Sequence, residues 1–137
     1  MRPNAKHDPA RARNRGSELN ARRKAWRFGR RAEQLCAWWL RLKGYQVVSR
    51  DVRTPVGEID LIVRRGGILA IVEVKARFGS GAEEALPPRQ RRRIVRATKI
   101  FLQGRPDLGG LDIRFDVMLV GRWPPLRHLA GAFRADD

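Results

Sequence analysis

Apolar and charged residues alternate with a period of two in two short segments, residues 57–63 and residues 71–77. Both segments are rich in Val and Ile, and a period of two is typical of β-strands. Between them, Gly66 and Gly67 supply the positive φ angles that a two-residue type I′ turn requires. The pattern therefore predicts an antiparallel hairpin in which Arg65 faces Ile68.

This register determines which charged residues of the hairpin meet. Asp60 should lie directly opposite Glu73, because alternate side chains share a face of a strand and the turn fixes the pairing. The charged face of the hairpin should comprise Glu58, Asp60, Glu73, Lys75 and Arg77. The opposite face should supply the core with Ile59, Leu61, Val63, Val72 and Val74.

Two carboxylates that face each other across a sheet repel, so a counter-charge is expected at Asp60 and Glu73. A divalent cation is the simplest candidate, since Mg²⁺ prefers oxygen ligands and uses one or two carboxylates. Lys75 would then place an ammonium beside the metal and any bound phosphate. The alternative is a solvated polar face with cross-strand ion pairs, Glu58 with Lys75 and Asp60 with Arg77, which is ordinary for an antiparallel sheet.

Two helices are predicted on either side of these strands. The first covers residues 29–43 and ends at Gly44, with Glu33 at the edge of its apolar stripe, where an acid near a helix N-terminus is also ordinary. That stripe comprises Ala32, Leu35, Cys36, Trp39 and Leu42. The second helix covers residues 89–103 after two prolines, which suit a first turn.

The second helix has one strongly basic face, opposite an apolar stripe around Ile94 and Thr98. Its cations recur at spacings of three and four: Arg89, Arg92, Arg93, Arg96 and Lys99. Like charges at these spacings destabilise a helix, and phosphates lying along the face would relieve the repulsion. We therefore expect this face to contact nucleic acid; the alternative is a merely solvated surface.

The remaining pattern predicts strands over residues 45–52, 111–120 and 126–133. The order is helix, three strands, helix, strand, with an extra C-terminal strand. This order indicates an α/β domain, residues 28–137, with a mixed central sheet flanked by helices. Residues 1–27 are basic and lack apolar periodicity, so they are predicted to be a disordered arm.

Composition narrows the partners of the 137-residue chain. A net charge of +16, carried mostly by Arg, favours nucleic acid, with an anionic membrane surface as the rival. A single cysteine, Cys36, excludes a disulfide framework and a cysteine-based zinc site. Neither His7 nor His128 is predicted to be a catalytic base or a metal ligand. The chain has no secretory signal and no apolar run of the roughly 18 residues that span a bilayer, so cytoplasm is the expected location.

A family resemblance adds to this picture. The element order, with Asp on the second strand and Glu-x-Lys on the third, resembles the core of the PD-(D/E)XK nuclease superfamily. More closely, the chain resembles the uncharacterised YraN family, whose fold is similar to that of archaeal Holliday-junction resolvases. The matching residues are Gly29-Arg30-Arg31-Ala32-Glu33, Gly44-Tyr45, Gly57-Glu58-Ile59-Asp60-Leu61-Ile62, Val72-Glu73-Val74-Lys75-Ala76-Arg77, Gln90-Arg91-Arg92 and Arg114-Phe115-Asp116-Val117.

The resemblance implies a role for each matching site residue. Asp60 and Glu73 would be ligands of Mg²⁺ or Mn²⁺, with the Val74 carbonyl as a third. Glu33 would lie near the metal, as a ligand or through water. Lys75 would orient or deprotonate the attacking water and stabilise the charge that develops on the phosphate.

These observations favour a Mg²⁺-dependent endonuclease that hydrolyses DNA, including branched DNA. The alternative is a non-catalytic nucleic-acid-binding protein that uses the same basic surface. A ribosome- or RNA-associated factor is a third class, although the chain lacks the aromatic strand signature of an RNA-recognition motif. The sequence leaves a homodimer open.

Overall fold

The computed structural model describes residues 9–76, 86–121 and 125–137, and it has the predicted α/β architecture. Side chains are described from residue 15 onward, except those of residue 16 and residues 21–28. The elements are α1 (Pro9–Leu42), β1 (Gln46–Thr54), β2 (Gly57–Arg65), β3 (Ile68–Ala76), α2 (Pro88–Gln103), a 3₁₀ turn (Pro106–Leu108), β4 (Asp112–Val120) and β5 (Leu126–Phe133).

The five strands form one mixed sheet in the order β1-β2-β3-β4-β5. Neighbouring strands are antiparallel except for β3 and β4, which are parallel. A parallel pair needs a crossover connection, and the chain supplies it with α2. The predicted mixed sheet, including the extra C-terminal strand, is confirmed.

The predicted hairpin register is also confirmed. Arg65 pairs with Ile68, and Leu61 pairs with Val72 at the far end of the β2–β3 ladder. Gly66 has a φ of 59°, but Gly67 has no positive φ, so the prediction of a type I′ turn was wrong although its position and the register were right.

Both faces of the sheet are covered, so the hairpin has no fully wet side. On one face, strand residues including Ile62, Ile71 and Val117 pack against Ile94 and Ala97 of α2. On the other, strand residues pack against four small or aliphatic side chains of α1, which are Ala32, Cys36, Ala37 and Leu40. The core therefore lies in two layers, one above and one below the sheet.

The predicted apolar face of the hairpin needs one correction. Leu61, Val63 and Val72 pack together on the α1 side as expected, but Ile59 packs on the α2 side. The strict alternation is interrupted beside Asp60, where the neighbouring strand β1 carries Asp51 with a φ of 47°. A left-handed residue in a strand re-aims the side chains around it.

The first helix is longer than expected, because it begins at Pro9 rather than near Gly29. The predicted start of this helix was therefore wrong, and residues 1–8 lie outside the described part. Charge and missing apolar periodicity suggested disorder, yet residues 9–27 are rich in Ala, Arg and Lys, which favour helix. Within the part of the chain that the structure describes, no helix is long and apolar enough to cross a membrane.

Candidate active site

The backbone pairing between β2 and β3 ends next to Asp60. Their backbone ladder ends at Leu61 and Val72, and one step further the Val74 N–H donates to Asp60 Oδ2 at 2.8 Å. A side-chain carboxylate thus accepts the hydrogen bond from the backbone of the neighbouring strand. This arrangement fixes the Asp60 carboxylate between the two strands.

Glu73 on β3 meets Asp60 at this opening, as the register predicts. The two carboxyl groups lie within hydrogen-bond contact, which raises the pKa of Glu73 and lowers that of Asp60. Gln90 of α2 donates from Nε2 to Glu73 Oε1 at 3.0 Å. Glu73 is therefore held from two sides, by Asp60 of β2 and by Gln90 at the start of the basic helix.

Glu33 joins the same site from α1. Its carboxyl hydrogen-bonds to Asp60 and to Asp51, the left-handed residue of β1. Arg30, one turn earlier on α1, donates to Asp51 Oδ2 at 3.0 Å. Four carboxyl groups from α1, β1, β2 and β3 are therefore in hydrogen-bond contact, and we call Glu33, Asp51, Asp60 and Glu73 the carboxyl cluster.

The crowding of these acids alters their ionisation. The pKa of Glu73 is raised to about 8, mainly by burial and secondly by the Asp60 charge. Burial also raises the pKa of Glu33 to about 8, together with its hydrogen bond to Asp51 and the Asp60 charge. Burial raises the pKa of Asp60 as well, although the Val74 N–H opposes the shift. The Asp60 charge thus disfavours ionisation of Glu33 and Glu73, whereas hydrogen bonds from those two acids favour the ionised form of Asp60.

The donor set of the cluster suits a hard cation, which takes oxygen ligands. Among the residues that the structure describes, no three His, Cys, Asp or Glu side chains are arranged to hold a metal ion as they stand. Mg²⁺ uses only one or two carboxylates, a number that the Asp60–Glu73 pair supplies.

The other predicted site residues lie on the elements around the cluster. Lys75 is partly buried on β3, two residues beyond Glu73 and paired with Leu119 of β4. The five cations of the basic face on α2 are all exposed: Arg89, Arg92, Arg93, Arg96 and Lys99. Arg77 lies outside the described residues.

Two members of this site were not predicted from the sequence. Asp51 was not singled out, because its role depends on the positive φ and on how α1 crosses β1. Gln90 occurs in a matching segment, but nothing in its spacing indicated that it would bond Glu73. Neither contact has a periodic signal in the sequence, since both depend on how a helix packs against the sheet.

A second polar network lies further along β4, around the fully buried Asp116. Arg114 donates twice to its carboxylate at 2.8 Å, and His128 Nε2 lies 2.8 Å from the same group. The Gly131 N–H donates to Asp116 Oδ1 at 3.0 Å, and Arg114 also donates to the Tyr45 hydroxyl at 2.6 Å. This network ties β4 to β5 and to Tyr45, which lies between α1 and β1.

The mixed five-stranded sheet, flanked by α1 and α2 and opened at an acidic cluster, defines an α/β protein of the restriction-endonuclease-like fold. Residues 32–120 match the model of the uncharacterised protein family UPF0102. The chain belongs to this family, as the resemblance to the YraN family predicted.

Individual relatives agree with this assignment. A UPF0102 protein of Parvibaculum lavamentivorans is 58% identical over 113 residues, which cover 80% of this chain and 84% of the relative. Another UPF0102 protein, from Paramagnetospirillum magneticum, is 45% identical over 121 residues, which cover 85% of this chain and 94% of the relative. A third, from a Chelativorans species, is 48% identical over 107 residues, 76% of this chain and 86% of its own.

Proposed function

We propose that this protein is a divalent-metal-dependent endonuclease that hydrolyses phosphodiester bonds of DNA. The observation that carries the proposal is the meeting of Glu33, Asp60 and Glu73, which come from three separate elements. Burying acids together is unfavourable unless a counter-charge joins them. A site of this kind beside an exposed basic helix is suited to phosphodiester chemistry.

Each residue has a distinct part in this proposal. Asp60 and Glu73 would hold Mg²⁺ or Mn²⁺ with the Val74 carbonyl, and Glu33 would assist as a ligand or through water. The Val74 N–H and the Gln90 amide keep the two carboxylates in place before any ion arrives. When bound, the ion would neutralise phosphate charge and lower the pKa of a coordinated water.

Lys75 would act on the reacting atoms. It follows Glu73 by two residues on β3, so its ammonium projects from the same side of the strand. There it would orient or deprotonate the water that attacks the phosphorus in line. It would also stabilise the negative charge that develops on the phosphate oxygens.

The basic face of α2 would bind the substrate backbone. All five of its cations are exposed, and Gln90 links the same helix to Glu73. A strand lying along α2 would therefore come close to the carboxyl cluster. Branched DNA is the substrate we favour, since it presents more than one backbone to a small, highly charged protein.

A non-cutting nucleic-acid-binding protein is the second candidate. The uniform charge of the α2 face favours it, because this face binds phosphate whether or not the cluster is catalytic. Cleavage assays separate the two candidates. Labelled four-way junctions, flaps and linear duplexes are incubated with Mg²⁺ or Mn²⁺, with Asp60→Asn as the control. We expect metal-dependent cutting by the wild type that is lost in Asp60→Asn. If no substrate is cut, only the non-cutting nucleic-acid-binding protein remains as a candidate.

Replacing Asp60 with Asn should change how stability depends on pH. In the wild type, Glu33 and Glu73 hold protons up to about pH 8, whereas their ordinary pKa is 4.5. The folded state then binds more protons than the unfolded chain, so metal-free stability falls as pH rises from about 4.5 to about 8. Asp60→Asn removes a charge that raises both pKa values, so its stability should fall less over this range.

Urea unfolding at pH 5 and pH 8, with EDTA or with Mn²⁺, measures this effect. Mn²⁺ should stabilise the wild type at pH 8 and leave Asp60→Asn unchanged, since an ion that binds only the folded state adds to its stability. Equal stabilisation of both proteins would contradict a metal site at Asp60.

The basic face of α2 is tested by the salt dependence of binding. Replacing Arg92 and Arg96 with Ala should weaken duplex binding for all sequences alike. The slope of log affinity against log salt should become shallower by roughly 0.9 for each lost phosphate contact. The matched control replaces Arg50 and Arg53, two exposed cations of β1, and should keep the wild-type slope. Equal slopes in the two double variants would show that the α2 face is only solvated.

A further inference from the structure

A second cationic feature lies at the other end of the sheet, beside the β2–β3 turn. It is a cavity of about 580 Å³ between the end of α1, the start of β1 and the loop after α2. The side chains that matter are Arg41, Arg64, Arg105, Tyr45, Gln46 and Asp107. None of them belongs to the carboxyl cluster or to the basic face of α2, so this cavity is a separate feature of the molecule.

The cavity has an excess of positive charge. Three guanidinium groups line it, from Arg41, Arg64 and Arg105, against the single carboxylate of Asp107. That carboxylate is already paired, because Arg105 donates to it from Nε at 3.0 Å and from Nη2 at 2.9 Å. The Asp107 carboxylate also interacts with Arg64, so the three guanidinium groups of the lining keep an excess of two positive charges over the one carboxylate.

Local contacts hold Arg64 of the lining and its neighbour Arg65 in place. Arg64 donates from Nε to the Gly66 carbonyl at 3.2 Å, which ties its guanidinium to the turn. The adjacent Arg65 stacks over the Tyr45 ring at 4.4 Å and donates to the Lys43 carbonyl at 3.3 Å. Guanidinium groups held in advance lose less conformational entropy when they bind an anion.

We propose that this cavity binds a phosphate group of a nucleic-acid backbone, as a second contact apart from α2. Guanidinium forks match phosphate oxygens in shape and charge, and this cavity is lined by three of them against a single carboxylate. A nucleic acid is the favoured source of the phosphate, and in that respect the inference rests on the proposed function. A lipid headgroup has the same chemistry, but the cavity is lined mainly by polar side chains and offers no apolar face to insert into a bilayer.

The cavity lies at some distance from the carboxyl cluster along β2. Arg64 follows Asp60 by four residues on β2, or about 13 Å at the usual rise of a strand. The phosphate in the cavity would therefore be a different one from the phosphate at the carboxyl cluster, which makes the contact a determinant of site size.

The test compares two double variants that lose equal charge, Arg41→Gln with Arg64→Gln and Arg50→Gln with Arg53→Gln. Duplex binding is measured in EDTA over a series of salt concentrations, so that no strand is cut. Relative to the control, the cavity variant should bind several-fold more weakly, with a slope shallower by roughly 0.9 for one lost phosphate. Circular dichroism establishes that both variants are folded. An unchanged slope in the cavity variant would overturn the proposal.

Two further arms identify the source of the phosphate. Vesicles of phosphatidylcholine with phosphatidylserine replace the duplex in one arm, and a larger loss of vesicle binding than of duplex binding would overturn the nucleic-acid assignment. In the other, duplexes of decreasing length are compared, and the difference between the variants should vanish once the duplex is too short to span both contacts. A wild type that never cuts would contradict the endonuclease alone, since these measurements do not depend on cleavage.

Discussion

Replacing Asp116 with Ala should lower the free energy of unfolding by about 3 to 5 kcal/mol, the usual result of breaking a buried ion pair from one side. The Asp116 side chain has no exposed surface, and its partner Arg114 is only 23% exposed. Without the carboxylate, the Arg114 guanidinium, the His128 ring and the Gly131 N–H all lose a hydrogen-bond partner. Urea unfolding at neutral pH measures the loss.

The control for this variant lies on the same strand. Asp112 is exposed at the start of β4, and Asp112→Ala should change stability by no more than about 0.5 kcal/mol. A conservative variant, Asp116→Asn, keeps the shape but removes the charge and should fall between the two. A loss below about 1 kcal/mol in Asp116→Ala would contradict the reading of this network as a stabilising clamp.

Asp116 also responds to pH in the opposite sense to the carboxyl cluster. Burial favours its neutral form, but hydrogen bonds to His128 and Arg114 outweigh burial and lower its pKa. A lowered pKa stabilises the fold above the ordinary range of an aspartate, and that contribution is lost as pH falls through the folded value. The cluster, with raised pKa values, loses stability as pH rises. In a series of unfolding measurements over pH, the contribution of Asp116 is therefore lost at the acidic end, and that of the carboxyl cluster is lost at the alkaline end.

The hairpin was predictable because its signals are local. A Gly-Gly turn and a period of two determine the register, and the register brings Asp60 to Glu73. The role of Glu33 came only from the family resemblance, since its helical position also suits a surface acid. The Asp116 network escaped prediction because Arg114 and Asp116 look like ordinary alternation, and His128 joins them only through strand pairing.

The buried face of the first helix differs from the apolar stripe that was predicted from the sequence. The predicted stripe included Leu35, Trp39 and Leu42, yet all three are exposed. The residues that face the sheet include Ala32, Cys36 and Ala37, whose small side chains allow α1 to approach closely. Together with Leu40, these residues form the buried face of α1, whereas the rest of the predicted stripe lies at its edge and outside it. Cys36 does pack as the small hydrophobe expected, and its burial raises the thiol pKa to about 12.

The other large effect is expected at Lys75, whose replacement by Ala should slow cleavage by roughly two or more orders of magnitude. This is the scale of loss when an electrostatic or acid–base group is removed from an active site. Nucleic-acid binding should change little, because Lys75 is one of 30 Lys and Arg residues and the basic face of α2 remains. The two proteins are compared on a labelled junction, at concentrations that give equal binding.

Two control variants show whether the loss is chemical. Arg50→Ala removes an exposed cation of β1 outside the proposed machinery and should cleave at the wild-type rate. Lys75→Arg keeps the charge but replaces a group that can give up a proton with one that cannot, so it should recover only the electrostatic part of the rate. A Lys75 that served only in an exposed ion pair would contribute about 0–1 kcal/mol to stability and nothing to turnover. Cleavage that survives Lys75→Ala would therefore exclude the mechanism proposed for this lysine. A wild type that cuts no branched or linear substrate with either metal would favour the non-cutting nucleic-acid-binding protein.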